Sequence, residues 1–172
     1  VFSQTGIAGL TLGGGYGWLR NKYGLAADNL IAADVVTADG RLIRASATEN
    51  HDLLWGLRGG GGNFGVVTAF EYRLHPVGPE VMFVFVMHDT PTAADMERAV
   101  RFYRDFSATA PDEVSTILAL GQVPPDEHFP EALYRKPMTL FGGLYAGPIE
   151  DGKKILQPLL DFGAPLLDFS GV

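Results

Sequence analysis

The residues most suggestive of chemistry in this sequence are glycines. Gly6, Gly9, Gly13, Gly14, Gly15 and Gly17 fall within twelve residues, and Gly59 to Gly62 with Gly65 form a second cluster inside "RGGGGNFGVV". Each glycine in an ordered element costs about 0.5–1 kcal/mol relative to alanine, so two such clusters imply that something approaches the backbone closely. Successive N–H groups with no side chain over them can cradle a pyrophosphate without any basic residue. Thr5 and Thr11 add hydroxyl donors beside the first cluster, and Val66 and Val67 can flank a flat ring while their backbone groups bond its edge. The chemistry this points to is the holding of a large anionic cofactor.

Two other readings of the glycines compete. Gly60-x-Gly62-x-x-Gly65 matches the G-x-G-x-x-G spacing of dinucleotide folds. That fingerprint must follow a strand and open a helix, whereas here a helix precedes the glycines and a strand follows them. A G-x-x-x-x-G-K-[ST] phosphate loop is absent. For any single glycine a turn, bulge or cap is the commoner role, but that leaves the clustering unexplained.

Other chemistries find little support. There is no cysteine, hence no thiolate nucleophile, disulfide or cysteine metal site, and His51, His75, His88 and His128 show no ligand spacing. His51 reads as a solvated or capping helix-start residue and His88 as a strand-end residue of the sheet half. The acidic pairs Glu49/Asp52 and Glu150/Asp151 read as first-turn residues that complement helix dipoles. With 20 acidic and 13 basic residues the net charge is −7, which argues against nucleic-acid or anionic-membrane partners. No targeting peptide or membrane-length apolar run is present, so the expected compartment is cytoplasmic.

The elements that must position these residues follow from periodicity and punctuation. In 172 residues, 47% of them hydrophobic, a sizeable core is affordable. "LHPVGPEV" at 74–81 breaks the composition, which predicts a Gly-rich subdomain over 1–78 and an α+β portion over 79–172. Ala38-Asp39-Gly40 predicts a hairpin of strands 30–37 and 41–46. Thr48 or Asn50 then caps a helix carrying Leu53, Leu54 and Leu57. "VVTAFEYRL" predicts a strand with Val66, Thr68, Phe70, Tyr72 and Leu74 on one face.

Beyond residue 78 the order reads β, α, β, β, α, β, with strands at 81–88, 114–121, 138–146 and 165–170. The first helix is predicted from an N-cap at Thr90, with Pro91 next, to Ala108, burying Met96, Val100, Tyr103 and Phe106. The second starts at Pro148, turns Ile155, Leu156, Leu159 and Leu160 inward, and contains Pro158. Helices on one side of a sheet leave its other face for something else.

"TGIAGLTLGGGYGWLRNKYGLAADNLIAADVVTADGRLI" followed by "DLLWGLRGGGGNFGVVTAFEYRLHPV" resembles the FAD-binding domain of the vanillyl-alcohol oxidase (VAO) and p-cresol methylhydroxylase (PCMH) superfamily, in its berberine-bridge-enzyme-like branch. The resemblance spans residues 3–78; beyond it, only the element order is similar to the family's substrate domain, an antiparallel sheet covering the flavin. It implies an α+β fold: the second half of a VAO/PCMH-type FAD-binding domain followed by an antiparallel sheet with helices on one face. The chain opens without a methionine directly in this pattern, so a portion of a longer protein is expected, with the remainder of that protein as a partner.

Carried over by residue, the resemblance implies that Thr5, Gly6, Ile7, Gly9, Leu10 and Thr11 run along the FAD pyrophosphate and isoalloxazine, with Gly13, Gly15 and Tyr16 continuing that wall. Asn63, Val66 and Val67 would approach the nucleotide end, the valine backbone contacting the adenine, while Asp28 and Asn29 fix the loop. Members with two covalent flavin links use a cysteine just before the Thr-Gly stretch, where Phe2 or its neighbour stands, so a cysteine link is impossible; a histidine link would lie upstream of Val1. The family's catalytic base and substrate-gripping tyrosines come from the end of its substrate domain and its C-terminal part, and no counterpart is identified here.

The implied activity is FAD-dependent oxidation: hydride transfer from a C–H next to O or N of a sugar, alcohol or alkaloid to flavin N5, with reoxidation by O2. A non-catalytic ligand-binding module that retains the fold is the alternative, and a nicotinamide dehydrogenase is disfavoured by the element order around the glycines.

Overall fold

The computed structural model describes residues 4–172, and the chain divides into two compact units, Val1–Pro76 and Val77–Val172. Phe2, the residue placed at the cysteine position, lies outside the described residues.

The first unit runs α1 (Ile7–Leu12), α2 (Arg20–Tyr23), a 3-10 turn (Ala27–Asn29), β1 (Leu30–Val36), β2 (Leu42–Ser46), α3 (His51–Leu57) and β3 (Val66–Tyr72). Its strands form an antiparallel sheet in the order β2-β1-β3. The β1–β2 hairpin turns at Asp39-Gly40 as the sequence predicts, with Gly40 at φ 80°. The core gathers Leu12 of α1, Leu30, Ala33 and Val35 of β1, Ala45 of β2, and Leu54 and Leu57 of α3. Leu30, Val35 and Leu57 have no exposure at all, and such burial contributes about 1.5–3 kcal/mol per large aliphatic side chain.

The β3 face differs from the expected period-2 set. Asp34 pairs with Ala69 but Val35 pairs with Val67, so Thr68 is an extra residue on the β3 side. A bulge shifts the alternation by one: Phe70 and Tyr72 face the core together with Val67, while Val66 (68% exposed) and Leu74 (88% exposed) do not. The bulged Thr68 hydroxyl donates to the Asp34 carbonyl at 3.3 Å. The α3 N-cap position falls at Asn50, but at φ 48° its side chain makes no cap bond and donates to the Arg44 carbonyl at 2.7 Å. Glu49 lies before the helix, which leaves Asp52 as its first-turn acid.

The second unit comprises β4 (Met82–Asp89), α4 (Ala93–Thr109), β5 (Val114–Gln122), β6 (Pro137–Tyr145), α5 (Ile149–Leu160) and β7 (Pro165–Asp168). The antiparallel sheet has the order β5-β6-β4-β7. One face packs Val84, Val86, Phe141 and Tyr145 against Ala99 of α4 and Leu156 and Leu159 of α5. On the other, Phe129 and Leu133 of the β5–β6 connection pack against Met87, Val123 and Met138.

α4 starts two residues later than the Thr90 cap expected from the sequence. Thr92 and Asp95 form a reciprocal capping box, which outcompetes Thr90, itself buried and 3.1 Å from the Thr139 hydroxyl. That phase turns Ala99 inward and leaves Val100, expected in the core, 43% exposed. His88 is fully buried: its Nε2–H donates to the Leu159 carbonyl at 2.8 Å near the end of α5, and its Nδ1 has no hydrogen-bond partner among the described residues. Among the described residues no helix is long and apolar enough to cross a membrane.

Candidate cofactor site

The first glycine cluster folds around α1, an element the sequence does not announce. Gly6 is its N-cap, without a side-chain cap, and Gly13 its C-cap, with the Gly13 amide on the Gly9 carbonyl at 3.1 Å. Leu12 anchors the inner face of the helix in the core. Thr5, Gly6, Ile7, Gly9 and Leu10 are exposed, Ile7 by 59%. Thr11 departs from its expected role: it is fully buried, and its hydroxyl shares a 2.8 Å hydrogen bond with the Tyr72 hydroxyl instead of facing outward as a donor.

Beyond α1, the carbonyls of Gly14 and Gly15 accept the amides of Ala27 and Ala26 at 2.9 and 3.0 Å. Gly15 is required by the chain itself, because at φ 78° a Cβ would lie 2.4 Å from that of Ala26. Tyr16 is exposed, with the Arg20 guanidinium 4.2 Å above its ring. Asp28 and Asn29 fix the following loop as expected: Asp28 accepts the Leu25 amide at 2.8 Å, and the Asn29 side-chain amide donates to the Tyr23 and Leu25 carbonyls. His75 stacks on Tyr23 at 4.1 Å and bonds Asn29 Oδ1 at 2.5 Å.

The second cluster starts where α3 ends. Arg58 turns back to donate twice to the Leu30 carbonyl, at 3.1 and 2.6 Å. The Gly60 amide reaches the Gly56 carbonyl at 2.9 Å, and the Gly61 amide reaches the Leu12 carbonyl at 2.8 Å. That last bond joins the two clusters directly. Asn63 serves the loop, its side-chain amide donating to the Gly60 carbonyl at 3.0 Å. Val67 is half-buried in the core, so only its backbone is available at this edge.

The loop and the β1–β2 hairpin border an open surface cleft of about 390 Å³ lined by Val36, Thr37, Ala38 and residues Gly62 to Val66. Antiparallel pairing of Val36 with Val66 brings the two sides together. Val36, Thr37, Ala38 and Phe64 are not among the residues expected at the cofactor from the sequence. The Asp-Gly signal located the turn, but only the β1–β3 register puts it beside the glycines. At the rim, the Thr37 hydroxyl and the Arg41 guanidinium beside Asp39 hold its carboxyl down to about 2, so this carboxylate is ionised and paired.

The glycines sort by what a Cβ would meet. Gly65, at φ 140°, would put one 2.4 Å from the Val36 carbonyl oxygen, so the fold demands it. Against the described residues, Gly6, Gly9 and Gly62 would place one in open space, with no left-handed φ. The chain's own packing does not explain these three, and they leave backbone uncovered on the exposed side of α1 and at the cleft. None of the residues expected at the cofactor is charged, so an anion here would be held by amides. This arrangement fits a large dinucleotide-like group. Among the described residues no cluster of three His, Cys, Asp or Glu could hold a metal ion.

Residues 1–46 match the FAD binding domain family. An FAD-linked oxidoreductase, pgmH, of Aspergillus terreus is 37% identical over 161 residues, 94% of this chain and 31% of that protein. The structure of 6-hydroxy-D-nicotine oxidase from Arthrobacter nicotinovorans superposes with a TM-score of 0.79 at 31% identity, over 96% of this chain and 34% of that one. A berberine-bridge-enzyme-like protein of Physcomitrella patens superposes at 0.75 with 26% identity, over 96% of this chain and 33% of that one. The chain thus spans about a third of the length of the curated relatives it matches. By its α+β units and these likenesses, the chain carries an FAD-binding domain of the PCMH/VAO type, similar to that of the berberine-bridge-enzyme-like proteins.

Proposed function

We propose that this chain supplies one wall of the FAD site and a sheet unit of an FAD-dependent oxidase acting on a small molecule. The observation that carries the reading is the open space at Gly6, Gly9 and Gly62, glycines that the fold does not require, on clusters tied together through Gly61 and Leu12. Thr5, Gly6, Ile7, Gly9, Leu10 and the backbone of Thr11 run along the pyrophosphate and isoalloxazine, and Gly13, Gly15 and Tyr16 extend that wall. Asn63, Val66 and Val67 meet the nucleotide end through their backbone. When bound, the flavin supplies a hydride acceptor at N5 and a route for electrons to O2.

The part of this chain in the reaction is to bind and orient. Amides left uncovered by glycine take the anionic phosphates, while the exposed Ile7 and Leu10 offer apolar surface that excludes water from a flat ring. With no cysteine in the chain, no cysteinyl link to the flavin forms from it. The substrate class is a small molecule with a C–H next to O or N, a sugar, alcohol or alkaloid. The test is anaerobic mixing of the flavin-loaded full-length protein with a panel of sugars, alcohols and cyclic amines. Bleaching of the flavin band by one class, restored by air, is expected; a loaded protein bleached by dithionite but by no panel member would leave a binding module instead.

A further inference from the structure

We infer that Phe64 is a positioning residue for the cofactor cleft, held in place by Gly56 and Gly60; this rests on the FAD reading above. The geometry is specific. Gly56 lies inside α3, where a glycine is costly to the helix, and it is buried. A Cβ there would lie 2.9 Å from Cζ of the Phe64 ring, and one on Gly60 would lie 2.3 Å from the Gly56 carbonyl oxygen and 2.7 Å from Cε2 of the ring. Gly56 is therefore kept bare by the ring alone, and Gly60 by the ring together with the Gly56 carbonyl. The same residue lines the cleft between Asn63 and Gly65 and remains 40% exposed, so the ring is not simply a core side chain.

The ring closes a short circuit of contacts. Gly60 bonds Gly56, Gly61 bonds Leu12 and Asn63 bonds Gly60, all through the loop that Phe64 pins to α3. On the following side Gly65 passes so close to the Val36 carbonyl that the chain has no slack. Setting the ring thus sets where the Gly62–Val67 backbone stands relative to the hairpin, and, through Gly61, relative to α1. Phe64 acts on the cofactor through this backbone.

The test compares Phe64→Leu, Gly56→Ala and the double variant in the full chain, reading thermal midpoint, FAD dissociation constant and amide exchange of residues 60–67 without FAD. Phe64→Leu is expected to speed exchange across the loop and weaken FAD binding roughly tenfold, equivalent to one decade of affinity. Gly56→Ala, which leaves Phe64 present but displaces its ring, is expected to weaken FAD binding similarly, its helix-propensity gain being offset in the thermal midpoint by the crowding against the ring. The double variant should bind no worse than Phe64→Leu alone. If wild type binds FAD and both single variants bind equally well with unchanged exchange, the role given to Phe64 is overturned. If exchange changes as expected but wild type takes up no FAD, the loop clamp stands and the cofactor reading falls, and with it the positioning role.

Discussion

The Gly61 amide donates to the Leu12 carbonyl at 2.8 Å, joining two glycine clusters that are separated by a hairpin and a helix in sequence. A helix of six residues flanked by Gly6 and Gly13, with Gly9 inside it, cannot persist on propensity. Its Leu12 side chain is sunk in the core and its Leu12 carbonyl is capped from the second cluster. The two walls are thus built on one another.

Gly65→Ala is expected to destabilise the first unit by about 2–4 kcal/mol, because a left-handed φ and a backbone clash are combined at one position. The would-be Cβ lies 2.4 Å from the Val36 carbonyl oxygen, which the β1–β3 pairing holds in place. Gly62→Ala, with nothing within 4 Å and an ordinary φ, should leave stability within about 0.5 kcal/mol. Urea unfolding of both variants without FAD checks the contrast; equal losses would mean that the loop geometry is misread.

How far the sequence discloses this architecture depends on whether the controlling interaction is local. The Asp39-Gly40 turn and the Pro148 start of α5 are local signals, and both are seen in the structure. Thr92, in place of Thr90, caps α4 because the partner three residues on, Asp95, decides between two threonines. The β3 face was misassigned because a bulge at Thr68 depends on pairing with β1, which no period-2 count contains. α1 was illegible for the same reason, since its support comes from residues about fifty positions away. At the cleft, the glycine clusters were visible as composition, but Phe64 and the Val36–Ala38 rim emerge only once the register places them together.

Thr11→Val and Tyr72→Phe should each cost about 1 kcal/mol through the loss of their shared 2.8 Å hydrogen bond. Because they share one bond, the double variant should cost clearly less than the sum of the two. Thermal unfolding of the double-mutant cycle measures this, and strict additivity would show that the two hydroxyls do not interact. FAD affinity should follow Thr11→Val only slightly, since its hydroxyl points to Tyr72.

Asp39 gives the hairpin a pH-dependent contribution. The Thr37 hydroxyl first, and Arg41 second, stabilise its ionised form and bring its pKa down from 3.8 to about 2. A folded pKa below the unfolded one means a contribution present above about pH 4 and lost as pH falls through about 2. The urea midpoint of Asp39→Asn should therefore lie below wild type at pH 6 and converge on it toward pH 2. A difference that stays constant over that range would contradict the Thr37–Asp39–Arg41 arrangement.

Bare backbone at the cleft is kept clear for FAD, and Gly62→Val is the sharpest probe of this because a Cβ at Gly62 meets no described atom within 4 Å. FAD titration of the full chain, followed by flavin fluorescence beside the thermal midpoint of the cofactor-free protein, is the measurement. Wild type should bind, Gly62→Val should lose roughly tenfold or more in affinity, about one decade per 1.4 kcal/mol, and its cofactor-free midpoint should be unchanged, with Asn63→Ala mattering less. Full flavin content in Gly62→Val would contradict it.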